Sequence, residues 1–283
     1  MGSVEFLIKL NSRFKAPVHP FNLSNDGVMS YAEWQFQKGA ETIKFFLGAG
    51  GADGVDGIFK GKDVLDVGCG AAGKAVYYAS LGARKVIGLE LLEKYRAEAE
   101  ALAAEKGFAG NFEFLCADAA DTGIGSSTID TIIMNDAMEH VGDPEGTLGE
   151  CIRVLKPGGR LYINFPPYYH PFGAHLSDAI HIPWVHIFFK DSTLISAYKA
   201  LVADLPDGDE RAAFRISAGE GGQERFSYIN KMTIKRFKKI VAAAPAKCVH
   251  YREAPLRGFL AVPAKMPLLK EMLVKMVVCV FEK

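Results

Sequence analysis

The 283-residue chain is 49% hydrophobic and 23% charged, with 33 basic residues balanced by 33 acidic ones. That length suits one large domain, or one domain with an embedded cap. A zero net charge argues against a protein that wraps duplex nucleic acid, because such binding draws on phosphate neutralisation. Cys69, Cys116, Cys151, Cys248 and Cys279 are widely spaced and form no C-x-x-C pair, so neither a disulfide framework nor a zinc knuckle is expected. A reduced, cytoplasmic setting fits this cysteine usage. The opening "MGSVEFLIKL" has no basic stretch followed by a long apolar core, so it does not read as a signal peptide. The apolar runs are strand-length, and no membrane partner is expected.

Residues 1–61 hold helix-like, aromatic material, "MSYAEWQFQKGAETIKFFLG", and then a Gly-rich hinge, "GAGGADGVDG". They read as an N-terminal helical cap. From Lys62 the pattern becomes regular. Strands are expected at 63–68, 85–90, 111–116, 129–135 and 160–165, as near-continuous apolar runs suited to burial on both faces of a parallel sheet. "GKAVYYASLG" and "LLEKYRAEAEALAAEKG" have helical composition, and "GTLGECIRVLKPGG" reads as a third helix closed by Pro157-Gly158-Gly159. Residues 166–230 break the rhythm, aromatic and His-rich at first and loop-like later. It resumes with the helix "KMTIKRFKKIVAAA", a strand near "CVHYREA" and a last strand "VKMVVCVFE". Strand and helix in turn predict a doubly wound α/β, Rossmann-like fold with its core at 62–165 and 231–283. Residues 166–230 are then an insertion, or lid, over the acceptor side.

"LDVGCGAAGKA" contains Gly68-x-Gly70-x-x-Gly73, with Glu90 twenty residues past Gly70. Glycines at a first strand-to-helix turn let the backbone approach a ligand, and an acid ending the second strand can accept from ribose hydroxyls. Asp66 discriminates between two cofactor classes. A pyrophosphate on the helix N-terminus would be repelled by that carboxylate, whereas a sulfonium and an α-ammonium would be attracted. At this point the chain resembles the class I S-adenosylmethionine-dependent methyltransferases of small-molecule type. "VLDVGCGAAGKA" is similar to their first motif, and "CADAAD", "NDAMEHVGDP" and "RVLKPGGRLYI" resemble later segments at the family's spacing. The resemblance implies a seven-stranded sheet, mostly parallel, with "VVCVFEK" as the final antiparallel strand. It implies S-adenosyl-L-methionine held by Asp66, Gly68, Cys69, Gly70, Glu90, Leu91, Asp118, Ala119 and Asn135, with Tyr31 and Trp34 of the cap closing over it.

Pro166-Pro167-Tyr168 is similar to the target-holding motif of methyltransferases acting on DNA bases, but those carry it after the fourth strand and here it follows the fifth. The stretch after it mixes Tyr168, Tyr169, Phe172 and Trp184 with His170, His175, His181 and His186. An aromatic wall with a few polar groups suits a small-molecule pocket. Tyr168, Tyr169, His175, His181 and Trp184 are therefore the expected acceptor contacts, with a packed lid as the competing reading. An oxygen or carbon nucleophile needs a base, and His140, His175 and His186 are the candidates. "DAMEH" sets Asp136, Glu139 and His140 in an acid-x-x-acid-His order, which resembles a magnesium segment of plant small-RNA 2′-O-methyltransferases and ubiquinone-pathway O-methyltransferases. His175 could complete such a site. The family uses Glu where Asp136 stands, and the expectation is no metal. On a helix, Lys231, Lys235, Arg236, Lys238 and Lys239 form the wet face opposite Met232, Ile234, Phe237 and Ile240, so no nucleic-acid partner is read. The expected reaction is methyl transfer to a small acceptor. An RNA or protein methyltransferase, or a Rossmann domain without turnover, is the alternative.

Overall fold

The computed structural model describes residues 2–49 and 54–283; residues 50–53 of the Gly-rich hinge lie outside the described residues. In chain order the N-terminal helices are α1 (Ser3–Asn11), α2 (Pro20–Asn25), α3 (Tyr31–Ile43) and α4 (Val55–Phe59). Then come β1 (Asp63–Val67), α5 (Gly73–Ser80), β2 (Lys85–Glu90), α6 (Arg96–Glu105), β3 (Phe112–Cys116), β4 (Ile129–Asn135), α7 (Pro144–Val154) and β5 (Leu155–Phe165). The insertion holds α8 (Val185–Phe188), α9 (Asp191–Val202), α10 (Gly208–Arg215) and a ribbon of β6 (Ile216–Ala218) with β7 (Glu224–Phe226). The chain closes with α11 (Ile234–Ala243), β8 (Lys247–Pro255), α12 (Pro267–Leu273) and β9 (Val274–Glu282).

Seven strands form one sheet in the order β3-β2-β1-β4-β5-β9-β8. β1 to β5 pair in parallel, and β9 lies antiparallel between β5 and β8. The order reverses between β1 and β4, which opens a crevice at the strands' C-terminal ends. Both sheet faces are covered, which accounts for the continuous apolar runs. Leu65, Val67, Ile132 and Met134 pack with Leu148 of α7 and Phe237 of α11, while Val64, Ile133, Val278 and Val280 pack with Phe46, Phe59 and Tyr78. Alternate residues of one strand thus feed two cores.

The third helix is shorter than its sequence suggests. It ends at Val154, and "LKPGG" is already the start of β5. Pro157 disfavours helical backbone at Lys156, and Leu155 turns extended, φ −62° and ψ 139°. The basic run behaves as expected: Met232, Ile234, Phe237 and Ile240 are buried, and Lys238 pairs with Glu253 at 2.7 Å.

The N-terminal segment divides its packing. α3 lies on α5, whereas Leu7 of α1 enters the insertion's own core beside Leu176, Ile180, Leu194 and Tyr198. The insertion therefore folds around α1 as a third hydrophobic centre. Fully buried Asp178 sits between Arg211 (3.3 Å) and Arg215 (3.1 Å) and accepts from the Tyr198 hydroxyl at 2.8 Å. Arg211 also donates to Asn22 of α2 at 2.7 Å, tying insertion to cap.

Candidate active site

The turn after β1 is built to bring backbone close to a ligand. The N–H groups of Gly68 and Cys69 both donate to the Leu89 carbonyl, at 2.8 and 3.0 Å. Gly68 (φ +72°) could not take a side chain: a Cβ would stand 2.6 Å from that of Ala137. Gly73 serves packing instead, since a Cβ there would meet the Ala32 carbonyl at 1.9 Å as α5 crosses α3. Gln35 of α3 spans the turn, donating to the Cys69 carbonyl at 3.1 Å and accepting from the Gly73 N–H at 3.2 Å. Tyr31 lies over the same turn, its hydroxyl 3.3 Å from where a Gly70 Cβ would stand, and Trp34 stacks on Tyr31 with ring centroids 6.3 Å apart. Glu90, ending β2, accepts from the N–H of Gly70 at 2.9 Å and of Leu92 at 3.1 Å. Leu91 beside it is exposed.

Asp66 sits near the end of β1, buried, and its Oδ2 has no hydrogen-bond partner among the described residues. Burial raises its carboxyl to about 7, against the pull of the Lys74 ammonium and with the push of Glu90. The Lys74 ammonium donates to Asn135 Oδ1 and stands 3.7 Å from Asp136. Asn135 in turn donates to Asn164 across the β4–β5 pair at 2.8 Å. A cation thus already lies among Asp66, Asn135 and Asp136. Asp118 is exposed and closes a local turn by accepting from Ala120 at 2.8 Å, while Ala119 packs partly against the core.

On the far side of the crevice the segment after β4 turns sharply, with Asp136 at φ +51°. The His140 N–H returns to the Ala137 carbonyl at 2.9 Å. The chain returning from the insertion is stitched to this turn: Asn230 donates through Nδ2 to the carbonyls of Met138 (2.8 Å) and Val141 (2.9 Å), and the Asn230 N–H to that of Glu139 at 2.8 Å. Glu139 is buried, and neither carboxylate oxygen has a hydrogen-bond partner among the described residues. His175, held at φ +52° in the insertion, brings Nε2 to 3.6 Å from Glu139 Oε1, and His140 Nε2 lies 4.0 Å from the same atom. The two imidazoles meet edge to face at 4.8 Å. His140 Nδ1 lies 2.7 Å from the Tyr228 carbonyl, which only accepts, so Nδ1 carries the proton and the Nε2 lone pair is free.

Burial pushes the Glu139 carboxyl well above its ordinary range and, with His140 and Arg215 nearby, holds His175 well below its own. His140 is likewise lowered by burial. One donor atom from each of Glu139, His140 and His175 falls within 4.8 Å of the others. A carboxylate and two imidazoles suit a divalent first-row cation, and a histidine anchored through Nδ1 to a carbonyl is oriented as metal ligands are. Asp136 is outside this trio, drawn off to Lys74. The Asp136–Glu139–His140 set read from the sequence is therefore replaced by one with His175.

The other expected acceptor residues stand elsewhere. His186 packs against Tyr168 (4.9 Å) and Tyr169 (6.5 Å), both ring nitrogens buried without partners among the described residues. His181 donates its N–H to Asn11 of α1 at 2.6 Å. Trp184 turns at φ +56° with its N–H to the Pro171 carbonyl at 2.6 Å, and Tyr168 lies under the Lys231 ammonium at 5.6 Å. Sequence reasoning passed over Gln35 and Lys74, whose only signals were neighbourhood: one follows Trp34, the other follows the last glycine of the turn.

Residues 65–163 match the model of a methyltransferase domain. Over 118 residues the chain is 34% identical to a ubiquinone biosynthesis O-methyltransferase of Cupriavidus pinatubonensis, covering 42% of this chain and 46% of that one. Over 102 residues it is 35% identical to the chloroplastic tocopherol O-methyltransferase of Arabidopsis thaliana, covering 36% and 29%. The chain thus spans less than half the length of these curated relatives. A solved geranyl diphosphate methyltransferase, in complex with GPP and sinefungin, shares the fold at a TM-score of 0.54 and 15% identity, over 86% of this chain and 78% of that one. By that domain match and its seven-stranded sheet, the chain carries a class I S-adenosylmethionine-dependent methyltransferase domain.

Proposed function

We propose that the protein transfers the methyl group of S-adenosylmethionine to an oxygen of a small acceptor that is largely aromatic or apolar. The observation that carries the reading is the pairing, across one crevice, of a cation-attracting carboxylate, Asp66, with a buried trio, Glu139, His140 and His175. The O-methyltransferase relatives support oxygen as the nucleophile. In this reading Glu90 meets the ribose, Tyr31 covers the cofactor and Asp66 faces its cationic end, with Lys74 moving to its carboxylate.

The transfer is an in-line displacement. The acceptor oxygen forms a bond to the methyl carbon, the sulfonium carbon–sulfur bond breaks, and its electron pair stays on sulfur. Holding the oxygen on that axis supplies most of the acceleration. The hydroxyl proton goes to the Glu139–His175 pair once Glu139 is ionised, because the ionised form of a carboxyl raised by burial is a stronger base than an exposed carboxylate. A second reading is favoured by the free Nε2 of His140 and the unpartnered Glu139 carboxylate. In it Glu139, His140 and His175 would hold a divalent cation, whose Lewis acidity would make the acceptor hydroxyl more acidic. Dialysis against EDTA separates the two, since activity lost and restored by Mg²⁺ or Mn²⁺ selects the cation. The reading as a whole is tested with methyl-labelled cofactor and a panel of phenols and hydroquinones bearing apolar tails. Labelled methyl ethers are the expected product. Label passing to RNA or protein, or cofactor binding with no transfer to any panel member, would overturn it.

A further inference from the structure

Residues 256–273, between β8 and β9, take no part in the site, yet they lie at its end of the sheet. Pro255 pairs with Val274, and Phe165, where β5 ends, pairs with Val277. The segment makes two 3-10 turns, Gly258–Leu260 and Pro263–Lys265, and then α12. Three of its large apolar side chains point outward, Phe259 at 77% exposed, Val262 at 74% and Met266 at 53%, while Leu273 packs against the core. Its small ones point in, for Ala261 and Ala264 line a cavity of about 380 Å³ against Lys238, Tyr251 and Glu253 of the body. Burial alone would choose the opposite arrangement.

Charge gives the second observation. In a chain of zero net charge, residues 256–275 carry Arg257, Lys265, Lys270 and Lys275 against a single acid, Glu271. Lys270 is taken by Glu253 at 2.8 Å, and Glu271 accepts from the N–H groups of Ile234 and Lys235 at the start of α11, at 2.9 and 3.0 Å. Arg257 and Lys265 remain as exposed cations close in the chain to those apolar side chains, and Lys275 is exposed at the start of β9. Apolar groups at the level of the acyl boundary with basic groups at the headgroups is how a peripheral segment meets a membrane. Among the described residues no helix is long and apolar enough to cross one.

We propose that residues 256–273 seat the protein on the surface of an anionic lipid bilayer, through Phe259, Val262 and Met266 flanked by Arg257, Lys265 and Lys275. Docking there turns the site's end of the sheet toward the lipid, and it holds whatever the acceptor is. The test is co-sedimentation with vesicles of phosphatidylcholine alone and with about a quarter phosphatidylglycerol. The protein should sediment with the mixed vesicles, less with the neutral ones, and be released by salt. Phe259→Asp combined with Val262→Asp should lower the bound fraction about tenfold or more, with melting curve and cofactor affinity unchanged. Should that pair disturb folding, Arg257→Glu with Lys275→Glu, at exposed positions, should show the same loss. Protein that stays in the supernatant with both vesicles, or variants that bind like the parent, would overturn the proposal. So would a parent that elutes as a dimer and a double variant that elutes as a monomer, with no vesicle binding by either.

Discussion

The two sides of the crevice are made in different ways. The side proposed for the cofactor is local: Gly68, Cys69 and Gly70 are one turn, Glu90 is bonded to that turn, and α3 clamps it through Gln35. Its buried acid, Asp66, already faces a cation, Lys74. The side proposed for the acceptor is assembled from a distance, one turn after β4 and one residue of the insertion, held together by Asn230 and the Tyr228 carbonyl. Its buried acid, Glu139, faces two imidazoles that burial keeps neutral, and no hydrogen-bond donor among the described residues. The first side is preorganised to hold a charged ligand. The second keeps a buried carboxyl group, held protonated by burial and without a hydrogen-bond partner among the described residues, a destabilising feature that a reacting or coordinated partner would relieve.

The largest effect expected from that contrast is at Glu139. Replacing it with Gln should slow turnover about 10²–10⁴-fold with little change in melting temperature, since burial already holds the carboxyl neutral and the amide has the same shape. Steady-state kinetics beside a melting curve reads both. A variant that is active, or less stable, would remove the contrast.

Next is the clamp. Gly73→Ala pushes a methyl into the Ala32 carbonyl, so α3 must move from the cofactor turn. Overpacking of this kind costs about 1–3 kcal/mol, and calorimetry should show weaker cofactor binding along with a lower melting temperature. Undiminished affinity would mean that α3 is not part of the cofactor side.

The pH dependence of cofactor affinity is a finer probe. Asp66 has its carboxyl raised from the ordinary carboxylate range to about 7. Because the folded value is the higher one, ionising Asp66 costs stability, and its contribution is lost as pH rises through about 7. A bound sulfonium and ammonium offset that cost, so affinity should rise severalfold between about pH 6 and 8. Asp66→Asn should flatten the curve. A flat curve in the parent protein would place the cofactor's cation elsewhere.

The smallest effect is expected at His186, which the sequence offered as a base and the fold packs against Tyr168 and Tyr169. His186→Phe removes two unpartnered ring nitrogens and should leave turnover within about twofold while stabilising by about 1 kcal/mol. A large loss of turnover would return His186 to the site.

The same division governs what could be read from the sequence. Strands buried on both faces appear as apolar runs, and a ligand turn appears as glycine spacing, so β1 to β4, β9 and the Gly68–Gly70 turn were all legible. The start of β5 was not, because "LKPGG" reads as a helix stop and also extends into strand. Four histidines between His170 and His186 look alike in a sequence. What selects His175 is its left-handed backbone and the insertion's core around α1, which involves Leu7, some 170 residues away in the chain. Gln35 and Lys74 act through the packing of α3 and α5, and no spacing rule announces them.

The central claim is that Asp66 and Glu139 serve two separable halves of one reaction. It is tested most directly by titrating S-adenosylmethionine into the parent, Asp66→Asn and Glu139→Gln proteins under one set of conditions. The account predicts affinity weakened about tenfold in Asp66→Asn, where a charge-assisted contact is lost, and unchanged in Glu139→Gln. Weak binding by Glu139→Gln beside normal binding by Asp66→Asn would contradict it.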